Sequence, residues 1–290
     1  MIICKPQLDE QELKQLETLT LDSQKVDGGL PSIYFHLLRQ KRLAKSNVLY
    51  YQNEQLIAFV SAYFFYTNAC ELSLLVSPSS RRQGIARKLF NTILPLLRAK
   101  DMEHLIFSAP RLADNRWLKQ LGCSYKNSEY HMERISYEPI LITASKLQIR
   151  KAEVKDIPIL CALDEACFAS QPVDMVSRFQ LLLNDSNYTL ILAMRDEEPI
   201  GKAHIHWQEH STALSDIAIL PQYQGQGFGG EMLAYCINHA LMQGKHHLNL
   251  DVETSNQNAL NLYRRCDFKT SNVCDYWIIP LEKLSLHWEN

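Results

Sequence analysis

Apolar residues along this chain switch repeatedly between a spacing of about two and a spacing of about 3.6. Strand-like runs fall at Asn47–Gln52, Leu56–Phe65, Leu72–Val76 and His104–Ser108, and again at Tyr188–Met194, Ile200–Trp207, Ile217–Leu220 and His247–Val252. Helical spacing links Leu89, Ile93 and Leu96 or Leu97, and likewise Met232, Leu233, Cys236, Ile237 and Ala240. A further helix, from Lys155 to about Phe168, places Ile157, Leu160, Leu163 and Ala166 or Cys167 on one side. The polar run Arg195-Asp-Glu-Glu-Pro199 joins two strands as a hairpin turn does.

The order of these elements occurs twice. Pro78-Ser-Ser-Arg81-Arg-Gln-Gly84-Ile-Ala86 aligns with Pro221-Gln-Tyr-Gln224-Gly-Gln-Gly227-Phe-Gly229 at an offset of 143 residues. Each copy follows a strand and opens a helix. Each half reads β-α-α-β-β-β-α-β-α-β, which predicts an α/β (α+β) fold: two tandem domains, each a central mixed sheet flanked by helices. Leu147-Gln-Ile-Arg150 restarts the first strand, so the boundary is expected between Pro139 and Ser145, giving domains 1–144 and 145–290.

Composition narrows the function classes. The 290 residues leave room for two cores, and 46% hydrophobic with 21% charged residues is the balance of a soluble globular protein. A net charge of −2 supplies no basic face, so neither nucleic acid nor an anionic membrane is expected as a partner. No apolar run approaches the roughly 20 residues of a membrane span, and the N-terminus lacks the charged and apolar regions of a signal peptide. The eight cysteines are scattered, with no C-x-x-C pair, and read as buried reduced thiols in a cytoplasmic protein.

Gly225-Gln-Gly227-Phe-Gly-Gly230, with Asp251 further on, superficially satisfies a dinucleotide-binding fingerprint. The context argues against it. Antiparallel-looking strands precede the loop, Pro221–Gln224 separates strand from glycines, and the first copy keeps only Gly84. Both copies share Arg/Gln-x-x-Gly-x-Ala/Gly. Such a loop at a helix start presents backbone N–H groups and a partial positive charge, and small residues let a phosphate approach.

The shared pattern resembles the acyl-CoA pyrophosphate loop of the GNAT superfamily of N-acetyltransferases, and the resemblance covers nearly the whole chain twice. It implies acetyl-CoA as cofactor. By position, the amides of Gln224, Gly225, Gln226, Gly227, Phe228, Gly229 and Gly230 would hold the pyrophosphate, as would those of Arg81, Arg82, Gln83, Gly84, Ile85, Ala86 and Arg87 in the first copy. The preceding strand is expected to open from its neighbour and pair with the pantetheine arm through Ile217, Ala218 and Ile219, or through Leu74 to Val76.

Asn256-Gln-Asn-Ala259-Leu-Asn-Leu262-Tyr263-Arg-Arg-Cys-Asp267-Phe268 is similar to the family pattern N-x-x-A-x-x-L-Y-x-x-x-G-F, with Asp267 in place of glycine. The resemblance implies that Asn256 contacts the cofactor arm and that the Tyr263 hydroxyl lies near the thioester sulfur. A phenol near pKa 10 is a weaker acid than a thiol near 8.5, so complete proton transfer would cost about 2 kcal/mol. Tyr263 is therefore expected to donate a hydrogen bond, with late proton movement. Aligning Gly122 with Asp267 puts Leu118 at the tyrosine position and Arg111 at the asparagine position. The first domain is thus expected to be degenerate and the second catalytic.

Asp216 is the first candidate for a base or amine-orienting carboxylate, Glu253 the second, and a water chain would serve equally. His204 and His206, two apart on a strand, read as a sheet-surface pair or acceptor-pocket lining rather than metal ligands; no metal is expected. The expected activity is transfer of acetyl from acetyl-CoA to a primary amine, a small molecule or a peptide N-terminus. The Leu250–Phe268 segment is also similar to ribosomal-protein N-terminal acetyltransferases. The alternative is an acyl-CoA-binding regulatory protein with little turnover. A monomer or homodimer is expected.

Overall fold

The computed structural model describes residues 1–42, 44–142, 145–168 and 174–284. The first repeat runs β1 (Ile2–Lys5), α1 (Glu10–Asp27), α2 (Phe35–Leu38), β2 (Asn47–Gln52), β3 (Gln55–Tyr63), β4 (Ala69–Val76), α3 (Ile85–Ala99), β5 (His104–Pro110), α4 (Arg116–Gln120) and β6 (Ser124–Ile135). The second runs β7 (Gln148–Lys151), α5 (Ile157–Cys167), α6 (Met175–Asn184), β8 (Tyr188–Arg195), β9 (Glu198–Trp207), β10 (Thr212–Ile219), α7 (Phe228–Met242), β11 (His247–Glu253), α8 (Gln257–Arg265) and β12 (Lys269–Pro280). The doubled element order and the mixed α/β class are those the sequence predicts.

Packing divides the chain differently from the repeat. Unit 1 comprises Met1–Tyr130 and the chain from Asn272 onward; unit 2 is His131–Ser271. Residue 144, where the repeat boundary falls, lies outside the described residues. The last strands are exchanged: β12 lies antiparallel beside β5, from Cys274↔Pro110 to Pro280↔His104, while β6 lies beside β11. The strand order of unit 1 is β1-β2-β3-β4-β5-β12, and that of unit 2 is β6-β11-β10-β9-β8-β7.

Local sequence explains the helices that frame each sheet. Asp9 and Glu12 form a reciprocal capping box at the start of α1, and Gly28 ends it in the left-handed conformation at φ 68°. Leu13, Leu16 and Leu19 of α1 pack on one face of β3 with Phe59 and Tyr63. Leu89, Phe90, Ile93 and Leu97 of α3 cover the other face, against Ala58, Val60 and Ala62. This is strand alternation with both faces buried. In unit 2, Leu160, Leu163 and Phe179 of α5 and α6 pack on Leu190 and Leu192 of β8. Among the described residues no helix is long and apolar enough to cross a membrane.

Candidate active site

β10 runs antiparallel to β9 but pairs with the parallel strand β11 only through Thr212↔Leu248 and Ala213↔Asn249. Beyond Ala213 the two strands part. A β-bulge interrupts the β9 side: Ser215 faces His204 and Ala218 faces Lys202, so Asp216 and Ile217 together oppose Ala203. Asp216 takes the left-handed conformation at φ 49°. After the bulge, the Leu220 amide donates to the Ile200 carbonyl at 2.8 Å. Alternation then directs the Ile219 N–H to the opposite edge, into the opening.

At the end of β10 the chain turns through Gly225 (φ 76°) and Gly227 (φ 91°) into α7, whose start has no side-chain cap. A Cβ on either glycine would meet nothing within 4 Å, so the backbone is bare to an incoming group. The Gln224 side chain folds back on the strand and donates to the Ile219 carbonyl at 2.9 Å. Loop donors without a cap, beside an edge that no strand pairs among the described residues, fit a phosphate attached to an extended amide-bearing arm, as in coenzyme A.

α8 follows β11 in the chain. A Cβ placed on Gly229, in the first turn of α7, would meet Leu262 of α8 at 3.6 Å and Ile219 at 3.8 Å, so α8 borders the start of α7. Asn256 caps α8, its Oδ1 accepting from the Ala259 amide at 3.1 Å; its side-chain NH2 is left for another partner. Tyr263 is 8% exposed and sits edge-on to Phe268. No group among the described residues bonds its hydroxyl, and burial pushes its pKa up to about 12. Asp267 takes φ 65°, the left-handed turn that Gly122 makes at φ 83° in the first repeat.

The carboxylate of Asp216 sits in a buried charged cluster. His204 Nδ1 is 3.1 Å from one oxygen, Lys202 Nζ is 3.9 Å from the other, and Arg178 Nη2 approaches at 3.5 Å. Lys202 is completely buried, 2.5 Å from Asp164, between the rings of Phe168 and Phe179. Burial alone would raise the Asp216 pKa, but His204, Lys202 and Arg178 outweigh it and hold the carboxyl well below its ordinary range. Burial lowers the His204 pKa, so the ring is neutral and bonds Asp216 through its Nδ1–H. His206, on the same face, stacks on Tyr188 at 4.3 Å. Among the described residues no metal-ligand group forms.

Unit 1 repeats this plan with differences. β4 pairs with β5 from Ala69↔His104 to Leu72↔Phe107 and then parts, but its register with β3 is unbroken, with no bulge. Arg81 donates from Nε to the Val76 carbonyl at 3.1 Å and holds Asp27 with two bonds, at 2.7 and 2.6 Å. Arg82 makes the left-handed turn of Gly225, at φ 64°, and Gly84 that of Gly227, at φ 73°. A cavity of about 600 Å³ lies along this loop, between Leu74–Val76 and Ser108–Pro110.

The chain itself bridges the parted strands of unit 1. The Ser32 amide donates to Ser108 Oγ at 3.0 Å, its carbonyl accepts from Ser73 Oγ, and its hydroxyl meets that of Tyr276 at 2.8 Å. Tyr34 donates to Glu71 at 2.9 Å. Leu118 is buried in the core. The residue before α4 is Asn115, not Arg111, because α4 spans five residues where α8 spans nine; Arg111 instead pairs with Asp275 at 3.1 Å.

Sequence reasoning singled out Asp216, His204 and Tyr263 separately. It missed Lys202, Asp164 and Arg178, which only the pleat and the helix packing gather around Asp216. A lysine at alternation register with two histidines inside an apolar strand was the available signal.

The acetyltransferase (GNAT) family model matches residues 12–122 and 157–268. Among solved structures, the chain is similar to a GCN5-related N-acetyltransferase from Sphaerobacter thermophilus (TM-score 0.79, 14% identity, 97% of this chain and 96% of that one). It is also similar to a tandem GNAT protein from the clavulanic acid biosynthesis pathway (TM-score 0.67, 11% identity, 97% of this chain and 98% of that one). At such identities the likeness is one of fold. The thialysine N-epsilon-acetyltransferase of Mus musculus is 36% identical over 72 residues, spanning 25% of this chain and 42% of that protein. With both repeats matched, the chain belongs to the acetyltransferase (GNAT) family, as a tandem two-domain member.

Proposed function

We propose that unit 2 transfers an acetyl group from acetyl-CoA to a primary amine by direct attack on the thioester. The observation that carries this reading is the parting of β10 from β11, with an uncapped helix start at its end. Acetyl-CoA supplies the activated acyl group. The Gln224–Gly230 amides hold its pyrophosphate, and the edge that β10 leaves open at Ile217 and Ile219 aligns its arm, with the Ala218 backbone turned to β9.

The amine nitrogen forms the new C–N bond, the C–S bond breaks, sulfur leaves as thiolate, and the amine gives up a proton. The Ile219 N–H faces the carbonyl oxygen as negative charge grows on it. Tyr263 donates a hydrogen bond to the departing sulfur. With its pKa near 12, full proton transfer to a thiolate would cost about 5 kcal/mol, so it remains a neutral donor. Asp216, held ionised, is too weak a base to take the amine proton; its charge orients the incoming ammonium, which gives one proton to water before it attacks and a second to water once the C–N bond has formed. Asn256 steadies α8 and turns its side-chain NH2 to the cofactor arm.

Unit 1 favours a second role, acyl-CoA binding without turnover. Its cavity along Leu74, Val76 and Arg81 to Arg87 is open to a cofactor, while Ser32 bridges the strands where an acceptor would enter and Leu118 replaces the tyrosine. A thiol-release assay with acetyl-CoA tests both readings, using thialysine, lysine and a peptide N-terminus as acceptors. Amine-dependent release lost in Tyr263→Phe supports transfer in unit 2. Saturable binding with no amine-dependent release would leave only the binding role.

A further inference from the structure

We propose that unit 2 takes a free α-amino acid as its acceptor, with Asp216 receiving the ammonium group and Arg178 the carboxylate. This rests on the proposed acetyl transfer in unit 2 and names the acceptor of that same site.

Two opposite charges stand beside the edge that β10 leaves open. Asp216 belongs to the bulge next to Ile217, and Arg178 reaches it from α6. Both are partly open to solvent, with side-chain exposures of 22% and 32%. One guanidinium nitrogen, Nη2, lies 3.5 Å from each carboxylate oxygen. A charge-assisted bond closes to about 2.7–2.9 Å. Two other arginine pairs of this chain are closed in that way: Arg150 holds Asp156 with bonds of 2.7 and 2.8 Å, and Arg81 holds Asp27 with 2.7 and 2.6 Å. The Arg178–Asp216 pair is loose by comparison, and each partner has capacity for a ligand group.

The charges of the cluster are balanced without a ligand. Lys202 is completely buried 2.5 Å from Asp164, and burial keeps His204 neutral where it bonds Asp216. Two carboxylates, Asp164 and Asp216, therefore face two cations, Lys202 and Arg178. A simple amine enters as a cation and sets a third positive charge beside them. A peptide N-terminus does the same, with a neutral carbonyl where an anion is needed. A zwitterion keeps the balance: its ammonium takes Asp216, and its carboxylate takes the guanidinium fork, the planar match that arginine favours. In an α-amino acid a single carbon separates the two charged groups, which suits two partners that stand side by side.

Unit 1 supplies the contrast. At the offset of 143 that aligns the loops, Asp164, Arg178, Lys202, His204 and Asp216 correspond to Leu21, Phe35, Phe59, Ser61 and Ser73, none of them charged. Ser73 donates its hydroxyl to the Ser32 carbonyl, in the segment that bridges the parted strands. The charged set and the tyrosine occur together in one unit and are replaced together in the other.

Transfer places the acetyl group on the α-nitrogen. The C–N bond forms, the C–S bond breaks, sulfur leaves as thiolate, and two protons pass to water. The amide product carries no ammonium for Asp216, so its hold on the site weakens as soon as it is made.

The test measures thiol release by the full-length protein with acetyl-CoA and the common amino acids. The best acceptor is then compared with its carboxamide, its decarboxylated amine and a peptide that begins with it. Wild type should favour the amino acid over all three about 100-fold in kcat/KM, the scale of one charge-assisted pair, and NMR of the product should place the acetyl group on the α-nitrogen. Arg178→Gln should reduce this preference to less than about threefold, and Arg178→Lys should keep an intermediate one. A merely structural role would lower turnover of all acceptors alike and leave the ratio unchanged.

Folding is checked by near-UV circular dichroism; the wild-type ratios need no variant and decide the acceptor class by themselves. Wild-type turnover of the carboxamide, the amine or the peptide at the rate of the amino acid, or in its place, overturns the zwitterionic acceptor and leaves the transferase reading intact. A preference that survives in folded Arg178→Gln overturns the role of Arg178. Absence of thiol release with every acceptor overturns both readings.

Discussion

The side-chain amide of Gln224 donates to the main-chain carbonyl of Ile219 at 2.9 Å, tying the loop back to the strand it leaves. Arg81 does the same to Val76 in the other repeat. The Arg/Gln position of the shared motif is therefore a brace that shapes the loop, and its ligand-facing atoms are main-chain ones. Gln224→Ala should weaken acetyl-CoA binding about tenfold by calorimetry, whereas Gln224→Arg, which copies the first repeat, should stay within threefold of wild type. Equal losses in both would mean that the glutamine side chain itself touches the cofactor.

Tyr263→Phe should lower kcat about 100-fold while leaving acetyl-CoA affinity within threefold, since a donor to the leaving sulfur acts only as the bond breaks. Because burial holds the hydroxyl near pKa 12, the wild-type rate should show no decline up to pH 10 from its ionisation. Stopped turnover assays across pH 7–10 would reveal such a limb.

Gly84 adopts φ 73°, which a side chain tolerates poorly, at the head of the unit 1 loop. Gly84→Val should remove one acetyl-CoA binding event per chain, from two to one by calorimetric stoichiometry, while amine-dependent turnover persists. Loss of turnover would instead bring unit 1 into the reaction.

His204 gives stability a pH dependence. Its folded pKa lies below the unfolded value near 6.5, because burial outweighs its contact with Asp216. The neighbouring charges are Asp216, Lys202 and Arg178, with Asp164 behind Lys202. As pH falls below 6.5, the unfolded chain takes up a proton here that the folded one does not. Stability should then fall by up to about 1.4 kcal/mol per pH unit until the folded pKa is reached. Urea unfolding at pH 7.5 and 5.5 should show a smaller loss in His204→Asn than in wild type. Parallel losses would mean the buried ring protonates freely.

Glu231 of α7 accepts from the amides of Lys146 and Leu147 at 3.0 Å each, and from the Ser145 hydroxyl at 2.7 Å. Glu231→Ala hands the exposed Ser145 and Lys146 donors to water but takes the partner from the part-buried Leu147 amide, and should cost about 1 kcal/mol in urea unfolding. Glu231→Gln should recover about half.

The repeat was legible because it is written in periodicities: apolar residues at alternate positions for strands, and Leu89/Ile93 or Leu233/Ile237 for the helices beneath the loops. Glycine positions in the loop were legible for the same reason, since a left-handed turn restricts composition. The bulge was not. It is a single inserted residue, which shifts the register of β10 relative to β4 while the motif that follows still aligns. Nor could spacing show that Lys202 and Asp164, on different elements, meet at 2.5 Å. Asn256 and Tyr263 stood out through a pattern of neighbours; Asn115 did not, because α4 is shorter than the helix it was aligned to.

The strand exchange sets an order of assembly on the ribosome. β5 has an unsatisfied edge until Asn272 and the residues after it have emerged, by which point every residue of unit 2 is already available. The unit that begins the chain is therefore the last to be completed, and in the interval it carries an exposed sheet edge that invites mispairing. A premature stop just before Asn272 would therefore strip the first repeat of the strand that lies beside β5.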